Sequence, residues 1–164
     1  MPVRFKTEQQ EREFAIDDKY QYLIDEYKWH VSNSGYVRKT TRELGVKATI
    51  QLHRHILGLE SCNLEGLQTD HVNGNRLDNR VKNLRTATPS QNSQNRPATK
   101  SNTSGFKGVT WHDRNKSWRA RIGVGRKEIF LGYYQSPKEA SEAYLAATQK
   151  YHGEFSFENR QLLA

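Results

Sequence analysis

Short apolar and polar segments alternate along this chain, and no apolar run is long. The residues before Phe14 are mostly polar and predict a loose lead-in. Short strands are expected over 29–31, 34–37 and 48–52, with a short helix over 53–59. Between the lead-in and the first of these strands, apolar side chains recur at the spacing of one helix face: Tyr20, Leu23, Ile24 and Tyr27.

A different pattern runs from 67 to 96 and predicts a strand, a loop, a second strand and a helix. Asp70 and His71 end the first strand, a turn-rich loop follows, and Asn83 opens the second strand. A Thr-Pro pair, with a glutamine three residues after the threonine, marks the start of the helix. A unit this small cannot bury a core of its own, so we expect it to fold around a metal ion.

The residue types in this unit indicate a phosphodiester-cleaving site. The Asp70 carboxylate and the Asn92 amide offer oxygen ligands of the kind that Mg²⁺ or Mn²⁺ prefers. His71 has an ordinary pKa of about 6.5 and can take a proton from water. Asn83 is expected to orient its imidazole, and Asn79 is a second candidate for that role. Neighbouring strand residues point to opposite faces, so a bend must bring Asp70 and His71 to one site.

The ordered set of Asp70-His71, Asn83 and Asn92 resembles the HNH endonuclease motif, in the variant whose last histidine is replaced by asparagine. The intervening Asn-Gly, Leu-Asp-Asn-Arg and Asn-Leu-Arg segments fit the same motif. The resemblance implies that His71 is the general base, that Asn83 positions it, and that Asp70 and Asn92 hold one divalent metal, Mg²⁺ above all. The segment before the motif, with its Leu-His-Arg sequence, resembles the corresponding part of phage and bacterial HNH proteins.

Other polar residues near this motif have less specific interpretations. His53 and His55 lie two residues apart on a predicted helix and point away from each other. We therefore expect them to pack or to form hydrogen bonds rather than to chelate a metal. Arg54, Arg85 and Arg96 are candidates for contacts with phosphate groups.

The composition indicates the kind of partner that the protein binds and excludes some kinds of metal site. The net charge is +8, and all of it falls on residues 70–164, which hold sixteen Lys and Arg against eight Asp and Glu. Such an excess is expected of a protein that binds a polyanion. With Cys62 as the single cysteine, neither a disulfide nor a cysteine-rich zinc site is expected. No apolar run predicts a signal peptide or a membrane span, so we expect a protein of the reducing cytoplasm.

The C-terminal part predicts three strands followed by one helix. The strands are expected over 106–111, 118–124 and 127–133. The helix is expected over 138–151, after a Ser-Pro pair in which Ser136 caps the first turn. Small alanine side chains on one face of this helix would let it lie close against the sheet.

The middle strand of this predicted sheet has two different faces. Trp118, Ala120 and Ile122 share one face, which the helix would cover, and Arg119 and Arg121 share the other. A small twisted sheet that exposes arginines is suited to the major groove of DNA.

This stretch resembles the plant Apetala-two/ethylene-response-factor DNA-binding domain, over 104–159. The matching segments include Ser-Gly-Phe-Lys-Gly-Val, Trp-Arg-Ala-Arg-Ile and Leu-Gly-Tyr-Tyr, with Gly153 and Asn159 near the end. Threonine and histidine replace two arginines of the family, and Glu128 adds an acid, so base preference cannot be transferred. The resemblance implies that DNA-contacting side chains are Lys107, Thr110, His112, Arg119, Arg121 and Phe130.

Together these observations predict an α+β protein. A small ββα-metal nuclease core would rest on a mixed N-terminal support, followed by a three-stranded antiparallel sheet packed on one helix. The predicted boundaries are 1–66 for the support, 67–96 for the nuclease motif, 97–104 for a linker and 105–159 for the DNA-binding domain.

The predicted function is that of a magnesium-dependent endonuclease of phage or mobile-intron type, which nicks double-stranded DNA as a monomer or weak dimer. The alternative is a DNA-binding regulator with an inactive nuclease core. An RNA-binding or RNA-processing protein is a third reading, with less support.

Overall fold

The computed structural model describes residues 3–7, 10–43, 45–59 and 66–157. The chain divides into two compact units, Met1–Pro89 and Ser90–Ala164. The predictions that concern Cys62 and Asn159 fall outside the described residues.

The first unit begins with a β-hairpin rather than a loose lead-in. Strand β1 (Val3–Thr7) pairs antiparallel with β2 (Gln10–Ile16). Phe14 and Ile16 alternate along β2 and are buried in the core, as expected of a strand with one apolar face. The prediction was wrong because the charged residues around them gave no long alternating pattern.

The predicted helices and strands of the N-terminal region are present, but the strand expected over 34–37 begins only at Val37 and extends to Glu43, because residues 33–35 form the turn. Helix α1 (Gln21–Glu26) is followed by a three-stranded antiparallel sheet in the order β3-β4-β5, and a short helix comes after it. Gly35, at φ +83°, makes the turn between β3 and β4. The remaining bounds are β3 (His30–Val31), β4 (Val37–Glu43), β5 (Val46–Gln51) and α2 (Leu52–Ile56).

The hydrophobic core of this unit joins the hairpin, α1, the sheet and α2. The indole N–H of Trp29 donates to the carbonyl oxygen of Leu23 at 2.8 Å, so the one polar atom of that ring is satisfied. The buried members of the core are Phe14, Ile16, Leu23, Trp29, Val31, Val37 and Leu52.

The predicted strand–loop–strand–helix unit is present. Strand β6 (Gln68–His71) pairs antiparallel with β7 (Leu84–Ala87), and helix α3 (Pro89–Gln94) follows at once. A single 3-10 turn, Val81–Asn83, leads into β7. The boundary between the compact units falls inside α3, after Pro89.

The second unit has the predicted sheet and helix. Strands β8 (Val109–His112), β9 (Ser117–Val124) and β10 (Lys127–Tyr134) form an antiparallel sheet in the order β10-β9-β8. Helix α4 (Pro137–Tyr151) begins with Ser136, whose hydroxyl accepts a hydrogen bond from the Glu139 amide at 3.2 Å. The buried residues between the helix and the sheet are Val109, Ala120, Ile122, Ala140, Tyr144 and Ala147.

Within the described part of the chain, no helix combines the length and apolar character that crossing a lipid bilayer requires.

Gly108 allows the backbone before β8 to lie directly against α4. Its φ is +73°, and a Cβ atom there would be 2.1 Å from the Tyr144 ring and 2.7 Å from the carbonyl oxygen of Arg121. Gly108→Ala therefore combines backbone strain with a clash that a buried ring and a strand cannot relieve. We expect it to destabilise the protein by about 2–5 kcal/mol in urea denaturation.

Gly105→Ala is the matched control for Gly108→Ala. Gly105 has a similar φ of +76°, but nothing lies within 4 Å of the added Cβ, so we expect a loss of only about 1 kcal/mol. Equal losses in the two variants would show that the close approach to Tyr144 contributes nothing.

Candidate functional site

Asp70 and His71, at the end of β6, are both buried. Asp70 lies opposite Arg85 of β7. One oxygen of its carboxylate, Oδ2, accepts from Nε and Nη2 of Arg85 at 2.9 and 2.8 Å. His71 instead contacts the aromatic rings of His53 and Tyr36, with centroids 5.0 and 6.1 Å away. The two neighbours thus have different partners, as alternation along a strand predicts.

The imidazole of His71 lies beside the amide of Asn79. Its Nε2 atom is 3.4 Å from Asn79 Oδ1, a long contact of the kind that catalytic groups often show before substrate binds. Asn79 Nδ2 donates to the carbonyl oxygen of Arg76, also at 3.4 Å, so Oδ1 is the acceptor end of the amide. An acceptor at this position favours the tautomer of His71 in which Nε2 carries the hydrogen.

Asn83 closes the loop between β6 and β7. Its Oδ1 accepts from the Asn73 amide at 2.9 Å, and its Nδ2 donates to the Asp78 carbonyl oxygen at 2.7 Å. Asn83 thus joins the two sides of the loop, whereas Asn79 lies at the ring of His71. Of the two candidates for orienting that ring, Asn79 has the direct contact.

Further polar contacts fix the rest of this loop. Asp78 is buried and pairs through both oxygens with Arg80, and it also accepts from the side chain of Asn73 at 3.0 Å. Burial raises the pKa of Asp78, but the hydrogen bonds and charge of Arg80 outweigh that effect and hold the pKa below its usual value. Asp17 accepts from the Val81 amide at 2.7 Å and so holds the start of the 3-10 turn.

His53 forms part of the wall around His71, which the sequence did not reveal. Its ring lies edge-on to that of His71, it is 3% exposed, and its Nδ1 has no hydrogen-bond partner. Burial lowers the pKa of His53 to about 3, and positive charge nearby adds to the effect. Burial also lowers the pKa of His71, although the Asn79 contact and the Asp70 charge oppose it. Both imidazoles are therefore neutral at pH 7.

The predicted metal ligands have suitable chemistry. The described residues include no group of three or more His, Cys, Asp or Glu side chains that could hold a metal. Mg²⁺, however, keeps several waters and needs one or two carboxylates. Asp70 supplies a carboxylate at the end of β6, and Asn92 is half-buried on α3. A carboxylate and an amide oxygen fit such an ion.

The three arginines predicted to contact phosphates have contacts within the chain. Arg54 donates to the Leu59 carbonyl oxygen at 2.8 Å, beyond the end of α2. Arg85 pairs with Asp70, and Arg96, which is exposed, accepts at its carbonyl oxygen from Lys107 at 2.6 Å. Their contacts with phosphate remain predictions.

On the outer face of the C-terminal sheet, two buried polar atoms lack hydrogen-bond partners. They are Oγ1 of Thr110 and Nε of Arg119, which sit opposite each other on β8 and β9. Arg121, on the same face as Arg119, pairs with Glu128 at 3.0 Å. Unsatisfied buried polar groups are costly, so this face is suited to a polar ligand.

Aromatic rings lie on the same face of the sheet. Phe130 and Tyr133 are 55% and 43% exposed, with ring centroids 5.0 Å apart, and Tyr133 is 5.1 Å from the ring of His112. Sequence reasoning missed Tyr133 because a β-bulge before Gly132 shifts the alternation of β10. Phe130 and Tyr133 consequently lie on the same face of the sheet. On the neighbouring strand, Phe130 is paired with Arg121 and Tyr133 with Arg119.

Comparison with known proteins identifies the family of this chain. An HNH endonuclease family model matches residues 51–94, a range that includes His53 as well as the loop and α3. The uncharacterized HNH endonuclease of Acanthamoeba polyphaga mimivirus is 32% identical over 149 residues, which are 90% of this chain and 74% of that protein. The chain belongs to the HNH endonuclease family.

Other similarities of this HNH family member cover less of each chain. "Protein 3.8" of Escherichia phage T7 is 40% identical over 78 residues, 46% of this chain and 64% of that protein. The AP2-like ethylene-responsive transcription factor ANT of Arabidopsis thaliana is 42% identical over 50 residues, 29% of this chain and 9% of that one. The predicted resemblance to an AP2-type DNA-binding domain is thereby confirmed. No solved structure matches the chain.

The lowered pKa values of His53 and His71 predict that acid destabilises the protein. The pKa of His53 is 6.5 in the unfolded chain and about 3 in the folded protein. At a pH between these two values, the unfolded chain binds a proton that the folded chain excludes. Stability should therefore be greatest above pH 6.5 and fall as the pH decreases. His53 alone contributes up to about 1.4 kcal/mol for each pH unit.

Urea denaturation of the wild type and of His53→Phe, between pH 7.5 and pH 4.5, measures this effect. Phenylalanine keeps the ring contact and removes the titrating group, so the pH dependence should become shallower. If stability falls as steeply in His53→Phe as in the wild type, His53 is not the group responsible.

Proposed function

We propose that the protein is a metal-dependent DNA endonuclease, which hydrolyses a phosphodiester to a 5′-phosphate and a 3′-hydroxyl. The observation that carries the proposal is the buried imidazole of His71, neutral at pH 7 and placed against the Asn79 amide in the strand–loop–strand unit. A neutral imidazole with a defined tautomer is what a general base requires.

In the proposed reaction each residue has a separate task. His71 accepts a proton from the attacking water. Asn79 holds the ring and its tautomer, and Asn83 braces the loop that presents Asn79. Asp70 and Asn92 would hold Mg²⁺ or Mn²⁺, which when bound supplies positive charge to the phosphate oxygens and the leaving 3′-oxygen.

The outer face of the C-terminal sheet is the proposed DNA-reading surface. The support comes from the unpaired Thr110 and Arg119 atoms, the exposed Phe130 ring and the basic excess of residues 70–164. Double-stranded DNA is the proposed partner, and Arg119, Arg121, Thr110 and His112 are the proposed base or phosphate contacts. Tyr133 joins this set through its position beside Phe130 and His112.

With one such site per chain, a monomer would nick one strand, and a double-strand break would need a dimer or two events. The similarity to viral proteins is consistent with a phage or mobile-intron nuclease that acts in the cytoplasm of a host cell.

His71→Ala should abolish cleavage because the variant lacks the base that activates water. Supercoiled phage or host DNA is incubated with Mg²⁺ or with EDTA, and the open-circular product is measured. Wild-type protein should nick only with Mg²⁺, and His71→Ala should bind DNA with nearly unchanged affinity. Cleavage by His71→Ala at the wild-type rate would refute the assignment of the base.

Arg119→Ala should weaken DNA binding about tenfold or more, as the loss of one base-reading arginine typically does. If Arg119 contacts a phosphate instead, the log–log slope of affinity against salt should become shallower by about 0.9. Arg126→Ala is the matched control, because Arg126 is exposed in the β9–β10 turn and lies off the sheet face. Equal losses in both variants would indicate an effect of net charge and not of the face.

A further inference from the structure

Helix α3 cannot be stable by itself. It is six residues long, and none of its side chains is buried. Isolated helices of this length do not form in water, because nucleation costs more than a single turn of hydrogen bonds returns. Contacts at its ends or from neighbouring residues must therefore hold it, and with it Asn92.

Lys107 supplies such a contact at the C-terminal end of α3. Its ammonium donates to the carbonyl oxygens of Gln94 at 2.5 Å and Arg96 at 2.6 Å, and it lies 3.5 Å from that of Ser93. The last carbonyls of a helix lack partners within the helix and carry partial negative charge. An ammonium with three N–H groups can donate hydrogen bonds to these carbonyls, and its positive charge balances their partial negative charge.

The backbone of Lys107 is itself fixed. It precedes Gly108, which lies against the Tyr144 ring of α4, so the ammonium extends from the packed part of the second unit. A cavity between these elements is lined by Ser90, Ser93 and Gln94 of α3, together with Lys107, Tyr144 and His152. Asn95, directly after α3, is almost fully buried. All these residues belong to the second unit.

We propose that Lys107 is a positioning residue for the nuclease, which holds α3 and so presents Asn92 to the metal, and that it is not a DNA contact. The inference rests on the proposed function, because that function gives Asn92 its role. A phosphate could take the ammonium only if the two short bonds to Gln94 and Arg96 were broken. The domain proposed to select the DNA site would therefore also hold α3, the helix that carries Asn92.

The test compares Lys107→Met, which keeps the length of the stem and removes the charge, with Lys107→Arg, which keeps a donor. Lys138→Met, on the exposed first turn of α4, is the control for loss of one positive charge. Circular dichroism confirms that each variant is folded. Three quantities are then measured: hydrogen exchange at the Asn95 and Arg96 amides, DNA affinity in EDTA at several salt concentrations, and the dependence of cleavage on Mg²⁺.

The Asn95 and Arg96 amides donate to Gln91 and Ser93 and so report on α3. In Lys107→Met their exchange should become at least tenfold faster, and the Mg²⁺ concentration for half-maximal cleavage should rise several-fold. DNA affinity in EDTA and its salt dependence should match those of Lys138→Met. Lys107→Arg should restore most of the protection and of the cleavage.

Two results would overturn the inference. One is unchanged amide exchange in Lys107→Met. The other is a loss of DNA affinity in EDTA, with a salt slope shallower by about 0.9 than that of Lys138→Met. Failure of the proposed function looks different, because wild-type protein would then not cleave DNA with any Mg²⁺ concentration, whatever the exchange at α3.

Discussion

The candidate site depends on a loop that is held in place by hydrogen bonds, with Leu77 packed against the core of the first unit. Ala15 of β2 donates to the Leu77 carbonyl oxygen and accepts from the Asn79 amide, both at 2.8 Å, while Asn83 ties the two sides of the loop together. Each bond contributes about 1 kcal/mol net, but a buried group left unpaired costs more. The network is therefore formed as a whole, and it leaves the fully buried Asn79 beside His71.

Burial also sets the charges in the site. The two imidazoles of His53 and His71 are kept neutral by desolvation, and the negative charge of Asp70 is balanced by Arg85 on the neighbouring strand. In the proposed reaction, a polyanionic substrate would therefore meet a base that needs no deprotonation and a carboxylate that does not repel it strongly. The buried Nδ1 of His53 has no hydrogen-bond partner within the protein, and leaving such a group unpaired is costly.

Much of the fold follows from local signals in the sequence. The three C-terminal strands and α4 were predictable from alternation and from the Ser-Pro start of the helix, and the strand–loop–strand–helix unit from its turn residues. The β1–β2 hairpin was not, since the alternation of apolar and polar residues in its strands is short. The identity of the asparagine that contacts His71 depends on how distant segments of the chain meet. The same is true of the contact between His53 and His71. Tyr133 was hidden by one bulge that changes the face of every residue after it.

The sequence motif and the compact units do not coincide. β6 and β7 belong to the first unit, whereas α3 after Pro89 belongs to the second, so the HNH motif of 67–96 crosses the boundary. A helix with no buried side chain of its own takes its stability from its surroundings. In this chain those surroundings include Lys107, eleven residues after the predicted end of the motif at residue 96. Under the proposed function, the helix that would carry the metal ligand Asn92 therefore depends on a residue of the second unit that lies outside the motif.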